Sequence, residues 1–355
     1  MELEDLGYND TVAQSMAGYN LDGLEPGRVV AEHRERYIVR TAAGEFDAEI
    51  LGNLRFSAKG REDFPAVGDW VALSIYDSDF AIIHRILPRF SLLSRQAVGQ
   101  FGEVQIIAAN VDCAFLVQAI DRDFSINRFE RYLTVCHSSS VSPVIVLTKT
   151  DLIDQSKKTE LIELVKSRIS DVPVIAVSNK TLDGYEDVKK LVERGKSYCM
   201  LGSSGVGKST LLNNLAGKTV MRTDEISNSS NRGRHVTTHR ELIVLESGGI
   251  VIDNPGMREF GIADSSFGLE TAFDNIINFA QECKYNDCTH TNEKGCAVID
   301  AVEKGKIDSD SYENYLKMER ERAHFASTVA ERRKKGKDLA KTIKSFKKNS
   351  MRIAT

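Results

Sequence analysis

Three short segments carry residue types able to hold a nucleotide. Residues 202–209, Gly-Ser-Ser-Gly-Val-Gly-Lys-Ser, match G-x-x-x-x-G-K-[ST] in full. Glycines let backbone N–H groups wrap phosphate oxygens, and the positive end of a following helix adds to the attraction. Gly202, Ser203, Ser204, Gly205, Val206 and Gly207 would form that cradle. Lys208 would place a cation on the β and γ phosphates, Ser209 a hydroxyl on Mg²⁺, and Thr210 would extend the binding set. Asp253-Asn254-Pro255-Gly256 follows an apolar stretch; Asp253 would hold Mg²⁺ through water and the Gly256 N–H would sense the γ phosphate. Thr148-Lys149-Thr150-Asp151 supplies base selection. A carboxylate accepts two hydrogen bonds from guanine N1–H and the exocyclic amine, a donor pair that adenine lacks. Lys149 would lay its stem over the ring, and Ser178, in Ala176-Val177-Ser178, would close over the base edge.

Two further clusters carry chemistry. Arg232-Gly233-Arg234-His235-Val236-Thr237-Thr238-His239 lies between the phosphate-loop helix and the Asp253 strand. Thr237 or Thr238 would complete the Mg²⁺ shell. Met257 stands where many GTPases have a water-orienting glutamine, so His235 is the nearest polar candidate for that task, against a solvent-facing loop histidine. His235 and His239 imitate a metal pair but lack further ligands. Cys283, Cys288, His290 and Cys296 place three thiolates and one imidazole within fourteen residues. Four protein ligands leave no open position, which fits structural zinc and not catalysis.

The elements that must position these groups follow from pattern. Apolar strands are predicted at Val111–Val117, Val144–Leu147, Val172–Val177 and Ser197–Leu201, with helices at Asn127–His137, Leu161–Ile169 and Lys208–Ala216. Buried strands joined by helices give a mostly parallel α/β sheet. Glu241–Leu245 and Gly249–Asp253, split by Ser247-Gly248, read as a hairpin. Upstream, five short β-rich stretches (Gly27–Val30, Arg36–Arg40, Phe46–Ile50, Asp69–Leu73 and Ala81–Ile86) suit a small closed barrel, with the OB-fold leading. Eight aromatics between Tyr37 and Phe90 either fill that barrel or stack bases in its groove. Trp70 reads as core, as do Cys113, Cys136 and Cys199. After about Gly261 the chain turns helical, and no internal repeat is present.

Composition sets the class. A chain of 355 residues, 41% hydrophobic and 28% charged, exceeds one ordinary core. No apolar run reaches the roughly 18 residues of a membrane span, and the acidic start, Met1-Glu2-Leu3-Glu4-Asp5, is unlike a secretory signal. A cytoplasmic protein without a membrane partner is expected. Residues 331–355 hold ten Lys or Arg against two acidic residues, a net +8 that leaves −12 for the rest of a chain at −4. Such an arm suits a polyanion, nucleic acid before membrane, against a solvated helix end.

The base-reading motif precedes the phosphate loop, the reverse of the ordinary GTPase order. That permutation, with Gly233-Arg234-His235, Thr237-Thr238, Asp253 to Phe260 and the Cys/His cluster, resembles the ribosome small-subunit-dependent GTPase A family (RsgA, also called YjeQ or YloQ) over about residues 25–350. The resemblance implies GTP hydrolysis to GDP and phosphate, stimulated by the small ribosomal subunit, late in that subunit's maturation. It implies an OB-fold and a zinc domain that both contact ribosomal RNA, Mg²⁺ with GTP, one zinc ion, a catalytic His235 beside Lys208, and a monomer. The expected division is an acidic flexible N-terminus (1–24), an OB-fold RNA-binding domain (25–102), a circularly permuted GTPase domain (103–264), a zinc domain (265–325) and a basic tail (326–355). Thr148 departs from the usual initial asparagine, and Val236 occupies a frequent threonine slot. Two rivals stand beside this reading: a GTP-gated RNA-binding factor whose hydrolysis is incidental, and a P-loop kinase or ATPase, which Asp151 argues against.

Overall fold

Period-two burial organises the first third of the chain, most plainly in Glu45–Ile50, where Phe46, Ala48 and Ile50 turn inward and their neighbours face solvent. The structure is a computed structural model that describes residues 2–19, 21, 23–33, 36–58, 60–96, 104–121, 124–220, 241–253 and 266–326. Strands β1 (Glu25–His33), β2 (Arg36–Arg40), β3 (Glu45–Ile50), β4 (Trp70–Ile75) and β5 (Phe80–Ile86) pair in the order β1-β2-β3-β5-β4, and β4 returns to β1. The β3–β5 pairing is parallel and the others are antiparallel, the connectivity of a five-stranded OB barrel. Closure removes exposed edges and gives Val29, Tyr37, Val39, Leu73 and Ile83 one shared interior. Of the eight aromatics, Tyr37 and Phe46 fill the barrel, whereas Phe56 and Tyr76 are exposed.

The acidic N-terminal stretch departs from expectation. Residues 1–24 read as mobile because they lack a sustained period. Instead Leu3–Leu6 forms a 3-10 turn and α1 (Asp10–Gly18) follows, capped by Asn9. Fully buried Leu6 packs with Trp70, Ala72 and Leu87, and Tyr8 meets Trp70 edge-on at 5.4 Å. Two short helices anchored by a few apolar side chains give no window long enough to show a period.

Past α2 (Gly52–Ser57), β6 (Leu92–Gln96) and β7 (Val104–Ala109) form a separate antiparallel ribbon. The central sheet then alternates with helices: β8 (Cys113–Ala119), α3 (Ile126–Ser138), β9 (Ser142–Thr148), α4 (Gln155–Arg168), β10 (Val174–Ala176), α5 (Tyr185–Leu191), β11 (Ser197–Leu201) and α6 (Lys208–Ala216). A hairpin of β12 (Glu241–Val244) and β13 (Ile250–Asp253) completes it in the order β10-β9-β8-β11-β13-β12. All pairs except β12–β13 are parallel. Both faces are buried: Ala114 and Leu116 pack on one side with α3 residues, Phe115 and Val117 on the other with α6 residues. From β8 the chain moves outward through β9 and β10; from β11 it moves the other way to β13. The crevice for a ligand therefore opens between the carboxyl ends of β8 and β11, where the direction reverses. Permutation changes the order of the strands along the chain while keeping this switch point.

A buried cation fixes the barrel to the sheet. Arg28 of β1 donates to Ser197 Oγ at 2.7 Å, Asn110 O at 3.2 Å, Gly68 O at 3.3 Å and Leu6 O. Burial lowers its pKa to about 10, opposed by Asp112 and Asp69. Gly68 has φ +95°, and a Cβ there would sit 2.1 Å from Ala109 O, so the close approach requires glycine.

The last described region, α7 (Ser266–Ala272), α8 (Asp274–Ala280), α9 (Ala297–Glu303) and α10 (Ser309–Ala326), has its own core around Leu269, Phe273, Val298 and Met318. It docks on α3 through close packing of α7, where a Cβ on Gly268 would fall 2.1 Å from Thr134 O, and through polar groups of α10. Buried Glu130 accepts from Asn314 Nδ2 at 2.6 Å, Ser311 Oγ at 2.8 Å and Arg168 at 2.8 Å, and Arg131 grips Glu321 with two bonds of 2.6 and 2.9 Å. Among the described residues, no helix is long and apolar enough to cross a membrane.

Candidate guanine-nucleotide site and metal centre

Four strand ends deliver the sequence motifs to the switch-point crevice. β11 runs into Gly202–Gly207, and α6 begins at Lys208, so Ser209 and Thr210 occupy its first turn. Gly205 and Gly207 take left-handed φ values of +79° and +95°. The Lys208 ammonium folds over the loop, donating to Gly202 O and Ser203 O, both at 2.7 Å. Burial lowers its pKa to about 8, with the Asp253 carboxylate of β13 opposing that shift. Lys208 and Asp253 therefore share one electrostatic environment although 45 residues separate them in sequence. Tyr132 of α3 hydrogen-bonds the Ser203 side chain.

The base-reading segments close the other end. Thr148, the last residue of β9, donates to Val206 O at 2.6 Å, tying the motif to the phosphate loop. Asp151 accepts a 2.8 Å hydrogen bond from Ser178 Oγ, and that hydroxyl in turn accepts from Lys180 N and Thr181 N. The carboxylate is thus held by a turn that is itself braced. Lys149 has φ +62°, and its ammonium pairs with Asp121 at 2.9 Å. Asp151 with Ser178, and Lys208 with Asp253, form two pairs whose segments are tied to each other by the Thr148–Val206 and Asn179–Gly207 bonds. This arrangement offers a carboxylate to a base, N–H groups and a cation to phosphates, and a hydroxyl with a second carboxylate to a divalent ion.

His235, Thr237, Thr238, His239, Gly256 and the basic tail lie outside the described residues. Asn179, which bonds Gly207 O, Gln118, whose carbonyl faces Thr148, and Asp121, the partner of Lys149, lie outside the motifs legible in the sequence. Gln118 had a legible signal, a lone amide in an apolar strand, and it is buried with its side chain on Ser125 O and N. Asn179 and Asp121 sit in polar loops, where sequence gives no such contrast.

The C-terminal cluster brings Cys283, Cys288, His290 and Cys296 together, all ligand atoms within 4.8 Å of one another. Cys283 Sγ lies 3.6 Å from His290 Nδ1 and 3.9 Å from Cys296 Sγ, and Cys296 Sγ lies 3.5 Å from His290 Nδ1. Tetrahedral zinc with bonds of about 2.3 Å to sulfur and 2.0 Å to nitrogen needs edges of about 3.8 and 3.5 Å, so the donor set fits. Secondary contacts hold it: Glu293 accepts from the backbone N–H groups of Thr289 and Thr291 at 2.9 Å, and Tyr312 donates to His290 O. His290 itself takes a left-handed φ of +58°.

Comparison with known proteins agrees with this architecture. The family model described as RsgA GTPase matches residues 86–263, and one described as 50S ribosome-binding GTPase matches residues 197–348. The second match begins at β11, where an unpermuted GTPase would start. The chain is 35% identical over 342 residues to the small ribosomal subunit biogenesis GTPase RsgA 1 of Bacteroides thetaiotaomicron, covering 96% of each. It is 43% identical over 299 residues to RsgA 2 of Lactiplantibacillus plantarum, covering 84% of this chain and 83% of that one. The crystal structure of YjeQ from Thermotoga maritima aligns with TM-score 0.62 and 28% identity over 83% of this chain and 97% of its own. Permuted strand order, phosphate loop, Cys/His cluster and sequence relatives agree: the chain belongs to the RsgA GTPase family.

Proposed function

We propose that this GTPase binds the small ribosomal subunit and acts in its late maturation, hydrolysing GTP to GDP and phosphate with stimulation by the subunit. The observation that carries the reading is the tie between the base-reading and phosphate segments, Thr148 to Val206 O and Asn179 to Gly207 O, with Asp151 braced by Ser178 and Lys208 in the field of Asp253. The relatives above, all named small-subunit biogenesis GTPases or YjeQ, support the biological setting. In this reading Asp151 selects guanine, Lys149 flanks the ring, and Ser178 orients the carboxylate. Residues Gly202 to Gly207 cradle the phosphates, with Thr210 behind them. Ser209 and Asp253, with Thr237 or Thr238, would hold Mg²⁺, which when bound neutralises charge between the β and γ phosphates. Lys208 stabilises charge developing on the transferred group, the Gly256 N–H senses the γ phosphate, and His235 orients the attacking water.

Cys283, Cys288, His290 and Cys296 would hold one structural zinc ion. The barrel (25–102), the permuted GTPase domain (103–264), the zinc domain (265–325) and the basic tail (326–355) are taken as separate parts of a monomeric cytoplasmic protein. The barrel, zinc domain and tail meet ribosomal RNA. Incidental hydrolysis in a GTP-gated RNA binder is not favoured, because the relatives are named small ribosomal subunit biogenesis GTPases. Measuring GTP turnover with and without purified small subunits tests the proposal. Stimulation of tenfold or more, lost in His235→Ala, is expected; equal turnover would reject it.

A further inference from the structure

Thr148 stands where the guanine motif ordinarily begins with asparagine, and its hydroxyl owns one proton. That proton goes to Val206 O at 2.6 Å, with Gln118 O further away at 3.3 Å. An amide would bring two donors. The missing donor is present on another loop. Asn179, just past β10, donates from Nδ2 to Gly207 O at 2.9 Å, and its Oδ1 accepts from Tyr185 OH at 2.6 Å. Asn214 of α6 closes the ring, donating to Tyr185 OH at 2.9 Å and to Asn179 O at 3.3 Å. A Cβ on Gly207 would fall 2.5 Å from Asn179 Nδ2 and 3.9 Å from Thr148 Oγ1. Two side chains from different strand ends therefore hold adjacent residues of the phosphate loop.

We propose that Asn179 is a positioning residue for guanine-nucleotide binding and divides with Thr148 the work of the absent asparagine. Thr148 anchors Val206, Asn179 anchors Gly207, and together they lock the base-closing loop to the phosphate cradle. The inference rests on the guanine-site reading given above. Because the anchor ties both loops and α6 into one ring, its loss loosens the cradle and the base loop together.

Titrations with GDP and ADP test this on the full-length protein. Asn179→Ala should weaken GDP roughly tenfold, the scale of one or two net hydrogen bonds. Adding Thr148→Asn to that variant should restore affinity to within about threefold of wild type, a rescue that general destabilisation would not give. GDP affinity unchanged within about twofold in Asn179→Ala, or a loss that Thr148→Asn does not reduce, would overturn the proposal. Should Asn179→Ala fail to fold, Tyr185→Phe removes only the hydroxyl that braces Asn179. Roughly threefold weaker GDP is then expected, and unchanged affinity overturns it. Wild-type protein that binds ADP as tightly as GDP would instead overturn the underlying guanine reading.

Discussion

Replacing Glu130 with alanine should loosen α10 of the Cys/His-bearing region from the GTPase domain. Glu130 is 1% exposed and receives three hydrogen bonds, from Arg168, Ser311 and Asn314. Two of those donors lie on α10, so the carboxylate joins the domains directly. Breaking a buried charged pair by removing one partner costs about 3–5 kcal/mol. The lower end applies here, because Arg168 keeps Asn127 Oδ1 at 2.7 Å and Asp308 at 3.5 Å. A loss of about 3 kcal/mol corresponds to roughly a hundredfold larger open population, at about tenfold per 1.4 kcal/mol. Amide hydrogen exchange reads this locally, which a global melting curve of a multidomain chain would not. Exchange along α10 should accelerate by about two orders of magnitude while β8, β9 and β11 stay protected. Rates in α10 within about threefold of wild type would refute the claim that this network holds α10 to the GTPase domain.

Three further outcomes follow from the same contacts. The pKa of Lys208 is lowered to about 8, and bound phosphates would raise it, so binding takes up a proton above that value. GDP affinity should be flat below about pH 7.5 and fall toward tenfold per unit above about pH 8; calorimetry showing constant affinity to about pH 9.5 would contradict this. Chelation or Cys288→Ser should release one zinc per chain and melt the helices around the cluster, read by metal analysis and far-UV circular dichroism. Unchanged helicity after complete metal removal would count against a structural role. Gly68→Ala forces a side chain at φ +95° against Ala109 O and should cost about 2 kcal/mol or more, lowering the first thermal transition; an unchanged transition would contradict the tight junction.

Much of this was legible in residue order. Strand Ser197–Leu201 and helix Lys208–Ala216 lie where the pattern puts them, because a continuous apolar run ending in a glycine-rich loop has few alternatives. The β12–β13 hairpin likewise follows from its glycine turn, with Gly248 at φ +85°. Long-range pairings were not legible. The parallel β3–β5 contact, the Arg28 tether and the Glu130 network depend on which surfaces meet, and that information is absent from any local window. Arg28 reads as an ordinary strand cation; only the fold reveals that it is buried. Helix α5 passed unnoticed because just seven residues carry its period. At the site, motif residues were readable because their spacing is fixed by phosphate geometry, whereas Asn179 and Asp121 gain meaning only from neighbours across the crevice.

The most direct test of the shared guanine site is the nucleotide preference of Asp151→Asn. Guanine presents two N–H donors to this position, while xanthine presents a carbonyl in place of the amine, so an amide should exchange one base for the other. The variant should lose GDP affinity by on the order of a hundredfold and bind xanthosine diphosphate better than wild type does, leaving the phosphate loop intact. Undiminished GDP binding, with no gain for xanthosine diphosphate, would show that Asp151 does not face the base and would contradict the account.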